Sequence, residues 1–178
     1  MKLKRHLTLF IFLALMTVAH SQVPRFEKTP VGGSGCSVYF PEGGIQEFEH
    51  TYSEDSSDVW VLGWEDSQGF TWSLIVVRFR GEIGNDRIAN EELLESYLDF
   101  LQSRYSVRET AGIGKGHTME SDNSFSGMID YWLFEDGTKM SIAGWVNPEY
   151  IFVYSIEGSE EYPYPNAWQL FRNGIRCN

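Results

Sequence analysis

FTWSLIVVRFR, Phe70 to Arg80, decides how the rest of the chain is read. It is rich in β-branched and aromatic residues and follows the turn Asp66-Ser67-Gln68-Gly69, so it reads as a strand. Successive strand side chains point to opposite faces, which puts Trp72, Leu74 and Val76 on one side and Ile75, Val77 and Phe79 on the other. Both sides are apolar. A sheet with one wet face alternates apolar with polar residues, so this strand is expected to be covered on both faces. DVWVLGWED, Asp58 to Asp66, precedes the turn and completes a hairpin.

The coverage has an evident source downstream. NEELLESYLDFLQSRY, Asn90 to Tyr105, repeats Leu94, Tyr97, Leu98, Leu101 and Tyr105 at helical spacing, which predicts an amphipathic helix packed on the sheet. Asn90 is the expected cap, and Glu91 and Glu92 suit the positive end of the helix dipole. Val107 to Ile113 then reads as extended. FSGMIDYWLFE and TKMSIAGWV flank Asp136-Gly137, a strong hairpin signal. Asn147-Pro148 turns the chain into a buried strand, Tyr150 to Ile156. PNAWQLFR, Pro165 to Arg172, predicts a short closing helix, with Pro165 in its first turn and Gly174 just past its end.

Upstream, Lys2, Lys4 and Arg5 precede an apolar run from Leu7 to Val18 and the small-residue exit Ala19-His20-Ser21, the pattern of a cleaved export signal over residues 1–21. The run is shorter than the roughly 20 residues a membrane span needs, so no stable membrane anchor is expected. Removing it takes three of the 14 basic residues and none of the 25 acidic ones, leaving a formal charge of −14. Such a surface repels phosphate backbones, which argues against nucleic acid and anionic membranes as partners. Residues 22–35, with VPRFEKTPVGGSG from Val23 to Gly35, lack periodicity and read as a flexible leader. A single domain is expected over 36–178, with SVYFP, Ser37 to Pro41, as its first strand and Ile45 to Tyr52 as that strand's partner. Cys36 and Cys177 stand near the two ends of that domain, and in an oxidising compartment they predict a disulfide.

Several antiparallel strands, a helix, more strands and a closing helix describe an α+β fold. The expected form is an antiparallel β-sheet with a long amphipathic helix and a short C-terminal helix packed on it, an α/β/α sandwich. SVYFP at the start, the mid-chain helix, the Asp-Gly hairpin, YIFVYSI and AWQLF together resemble the PsbP-like fold, named for an extrinsic photosystem II protein and including small exported bacterial proteins. The resemblance spans Cys36 to Cys177 and rests on element order. It implies an assembly or binding role and carries over no functional residue.

The chemistry-bearing motifs read weakly. GIGKGHTME, Gly112 to Glu120, resembles a phosphate cradle, but Lys115 is followed by Gly116 and His117 where a P-loop needs Ser or Thr and then a helix. The dinucleotide pattern fails at His117, so the glycines are assigned to a connection needing positive φ or close backbone approach. Zinc wants three or four clustered ligands, and His117, Glu120 and Asp122 form the best local polar group. Acidic segments Glu54 to Asp58 and Glu120 to Ser124 lack the calcium-loop spacing and read as solvated loop tips. No Gly-x-Ser-x-Gly elbow occurs. Trp60, Trp64, Trp72, Trp132 and Trp145 fall on predicted strands and Trp168 on the last helix, where they are assigned to the core.

These readings assign no catalytic residue, no metal and no cofactor. A sheet apolar on both sides leaves no interior room for reactive groups to gather. The expected function is that of a secreted or periplasmic, non-enzymatic domain that binds a protein or envelope component. The alternative is a small extracellular hydrolase or ligand-binding enzyme with a cleft near His117.

Overall fold

The computed structural model describes residues 23–44, 48–81, 83–112 and 114–177. The export-signal reading of residues 1–21 lies outside them. The fold is α+β, with antiparallel sheets and two helices among the described residues. The strands are β1 Phe26–Pro30, β2 Cys36–Pro41, β3 Glu49–Tyr52, β4 Asp58–Glu65, β5 Thr71–Arg78, β6 Val107–Thr110, β7 Gly114–Met119, β8 Asp122–Phe134, β9 Lys139–Val146, β10 Tyr150–Gly158 and β11 Arg176–Cys177. The helices are α1 Arg87–Gln102 and α2 Pro165–Arg172. An eight-stranded sheet runs β3-β4-β5-β10-β9-β8-β6, with β7 also paired to β8. A three-stranded sheet runs β1-β2-β11.

The strand that decides the fold sits between β4 and β10 and is covered on both faces. Trp72, Leu74 and Val76 join Val38 and Phe40 of the small sheet and Ala167, Trp168 and Phe171 of α2 in one apolar core. Val77, with Ile75 and Phe79 packed against it, joins Leu94 and Leu98 of α1 in a second core. One sheet thus separates two cores, the arrangement that an apolar strand without alternation requires.

Turn chemistry follows the residues expected to make it. Asp66 Oδ1 accepts from the backbone N of Gln68 at 2.8 Å and of Phe70 at 3.0 Å, while Oδ2 accepts from Trp72 Nε1 at 3.0 Å. Asp136 Oδ1 accepts from Thr138 N at 2.9 Å, and Gly137 takes φ 89° in the β8–β9 hairpin. Asn147 Oδ1 accepts from Glu149 N and Tyr150 N.

Four expectations are corrected. The segment expected as a flexible leader, 22–35, contains β1, which pairs with β2 from Phe26↔Pro41 to Pro30↔Ser37. Val31 and Ser34 are buried, and Tyr150 Oη donates to the Ser34 carbonyl at 2.8 Å. Its glycines mark a hairpin turn, with Gly32 and Gly35 at positive φ, rather than loose chain. Next, β3 pairs with β4 and not with β2; residues 45–47 of the expected Ile45–Tyr52 strand lie outside the described residues. Helix α1 is capped by Asp86, whose carboxylate accepts from Ile88 N and Ala89 N, and Asn90 lies buried within it, donating to the Gly84 carbonyl. Finally, Gly114 to Met119 of the glycine-rich stretch is strand β7 rather than a turn, with its pairing to β8 shifted between Gly114 and His117. The expected need for positive φ does hold at Gly112 and Gly116.

Among the described residues, no helix is long and apolar enough to cross a membrane. Cys36 and Cys177 are disulfide-bonded, pairing β2 with β11 across a sequence separation of 141 residues.

Candidate functional site

The expected polar group is spread along a sheet edge. His117 is exposed on β7 opposite Gly127, Glu120 is in the following turn, and Asp122 opens β8 opposite Met119. Glu120 Oε1 accepts from Gln169 Nε2 of α2 at 3.2 Å, and Asp122 Oδ1 accepts from Ser124 N. No hydrogen bond joins the three among the described residues, and no three His, Cys, Asp or Glu residues there could share a metal ion. Lys115, the lysine of the apparent phosphate cradle, instead reaches Glu95 of α1 at 2.6 Å. The other histidine among the described residues, His50, holds Asp58 at 2.7 Å and stacks on Trp60, which ties the β3 edge to β4.

A concavity forms elsewhere, and its cause can be traced along one row of cross-strand neighbours. Trp64, Trp72, Ile156, Ser141 and Tyr131 pair in turn across β4, β5, β10, β9 and β8, so they share a face. Trp72 is 0% and Ile156 2% exposed, beneath the small sheet and α2, whereas Tyr131 is 53% exposed. The covering layer has three strands against eight; it buries Phe125 of β8 but leaves Tyr131, further along the same strand, uncovered. The step that remains is a groove of about 630 Å³, a size within the range of small-ligand pockets.

Aromatic side chains form much of its surface. Tyr131 lies on the sheet side, and Phe70, Tyr162 and Trp168 line the groove as well. Tyr162 sits edge-on to Phe70 and Trp72, each at 5.0 Å between ring centroids, which fixes it against the core. Burial, then the nearby Asp66 carboxylate, push the Tyr162 phenol well above its ordinary range, so it stays protonated as a donor. Trp168 is 8% exposed. Its indole Nε1 and the Tyr162 hydroxyl are buried with no hydrogen-bond partner among the described residues, a condition that native structures seldom leave unmet.

The polar lining is of mixed sign. Glu109, at the β6 end, pairs with Arg108 at 3.2 Å, and Glu160 and Glu161 precede α2. Lys139 stands at the start of β9, and Thr110 and Ser141 add hydroxyls. Behind the wall, the Arg172 guanidinium lies 5.9 Å over the Trp168 ring. Burial lowers its proton affinity, with Tyr131 and Glu120 acting in the opposite direction.

None of these groove residues was singled out as a site from sequence; Trp168 was assigned to the core. The sequence does carry a trace of the site in EEYPYP, Glu160 to Pro165, where acids, aromatics and prolines meet between the last long strand and α2. Comparison of the chain with protein-family models and with curated proteins finds no match.

Proposed function

We propose that this chain is a non-enzymatic binding domain that works outside the cytoplasm, secreted or periplasmic, and that the aromatic groove is its binding site. The observation that carries this reading is the groove itself, where an exposed tyrosine faces a wall whose indole and phenol have no hydrogen-bond partner among the described residues. Concave aromatic surfaces with a few polar groups are the usual form of ligand sites. The disulfide supports an oxidising compartment, as does the export-signal pattern of residues 1–21.

Element order supports the finer reading of the fold as a PsbP-like sandwich, with α1 as the long amphipathic layer on one face and α2 on the other. The assembly or binding role implied by that resemblance agrees with a groove and needs no cofactor. A protein or an envelope component would be the partner.

Immobilised protein challenged with extracellular or periplasmic material from its source tests the reading. Tyr131→Ala should abolish retention of the bound component while leaving Tm within about 2 °C, because the removed ring is mostly in water. Retention that is untouched by Tyr131→Ala but lost with His117→Ala would move the site to the β7 edge and favour the enzyme reading.

A further inference from the structure

Resting on that reading of the groove, we infer that its ligand is a saccharide chain, held by ring stacking on Tyr131 and by hydroxyl contacts along the opposite wall. Four features of the site select this chemistry.

The first is the floor. Tyr131 presents a half-exposed phenol ring on the sheet side of the groove, and a sugar ring offers a matching apolar C–H face. Second, the rim sets three carboxylates, Glu109, Glu160 and Glu161, against one ammonium, Lys139, with the Thr110 and Ser141 hydroxyls among them, so it is net acidic and rich in acceptors for ligand hydroxyls. Carboxylates accept, ammonium groups donate and hydroxyls do both, which suits a neutral ligand whose own hydroxyls donate and accept. Third, Trp168 Nε1 and the Tyr162 hydroxyl belong to residues of the groove wall and find no hydrogen-bond partner among the described residues. Both atoms are covered in the ligand-free arrangement, so engagement requires a shift of the Trp168 or Tyr162 ring, and that shift is the observable.

The fourth feature weighs against an extended peptide. Such a ligand usually gains its main-chain hydrogen bonds by adding to an open sheet edge. The edge beside this groove is β6, only four residues long, with a register shift between Val107 and Glu109 and the charged pair Arg108–Glu109 on it. Short length, irregular pairing and charge are the devices that keep an edge from accepting another strand. A peptide would be left with side-chain contacts alone.

The test follows the Trp168 indole N–H resonance, assigned with Trp168→Phe, during titration of the intact disulfide-bonded protein. The probes are linear hexasaccharides of α-1,4-glucose, β-1,4-glucose and β-1,4-N-acetylglucosamine, and an end-blocked peptide alternating Lys and Tyr. At least one hexasaccharide should shift the Trp168 signal and the amides around Tyr131, with binding weakened about tenfold or more by Tyr131→Ala. If the peptide alone moves these signals, the groove is a binding site but the saccharide assignment falls. If no hexasaccharide moves them, the assignment falls as well. The broader binding reading is judged separately, by whether Tyr131→Ala abolishes retention of native material.

Discussion

Gly127 shows how much a missing side chain can determine. A Cβ built there would lie 2.1 Å from a Trp145 ring carbon and 2.8 Å from the Gly144 carbonyl oxygen, inside a packed core where neither can retreat. Gly127→Ala should therefore destabilise by about 1–3 kcal/mol, read as a lower urea midpoint at unchanged slope. Glu157 makes a different kind of residue-scale prediction. It is half-buried on β10, and burial, with a smaller contribution from Asp136, raises its carboxyl above the ordinary range. Below the unfolded pKa both states are protonated, and the relative stability the carboxyl contributes is complete. As pH rises toward the raised folded value, the unfolded state releases its proton first and that stability is lost. Glu157→Gln removes the titration, so the variant should melt above the parent at pH 7. The two should converge below about pH 4. A gap that persisted in acid would mean the amide changed packing rather than charge.

Elements are set by their ends as much as by their middles. The helical stripe of α1 was legible because Leu94 and Leu98 recur at the spacing of one face, but its start was misplaced by four positions. Asn90 and Asp86 are both good caps. The choice fell to Asp86 because Asn90 donates its amide to the Gly84 carbonyl inside the fold, a contact no local pattern encodes. Asp86→Ala leaves Ile88 N and Ala89 N without their acceptor and should cost about 0.5–2 kcal/mol, measurable by thermal melting. Strand pairing shows the same limit. The Asp-Gly and Asp66–Gly69 hairpins were readable because the turn residues lie between their strands, whereas β1 was missed because its short segment FEKTP holds one large apolar residue, Phe26, and the prolines and glycines around it suggest a loop. The apolar Val31 that anchors it is a single residue.

At the scale of the whole molecule, the disulfide links the strand that opens the small sheet's core to the last strand of the chain. Closing so long a loop stabilises by about 5 kcal/mol in the chain-entropy model, with about 2–5 kcal/mol the usual measured loss. The double variant Cys36→Ser, Cys177→Ser should lower stability by an amount in that range, with β1, β2 and β11 losing hydrogen-exchange protection before the eight-stranded sheet. Equal loss across both sheets would mean that they unfold as one unit. The sequence by itself determined that β5 would be buried on both faces, that a helix would cover one of them, that two hairpins would turn at named residues and that Cys36 would meet Cys177. Each of these is written in short-range pattern or, for the cysteines, in residue type. Only the tertiary structure decided where the covering layer ends. A groove arises because a three-stranded sheet and an eight-residue helix are narrower than the sheet they cover, and the relative widths of two layers depend on pairings between residues far apart in the chain. That difference in width leaves Tyr131 in the open while Trp72, in the same cross-strand row, is sealed.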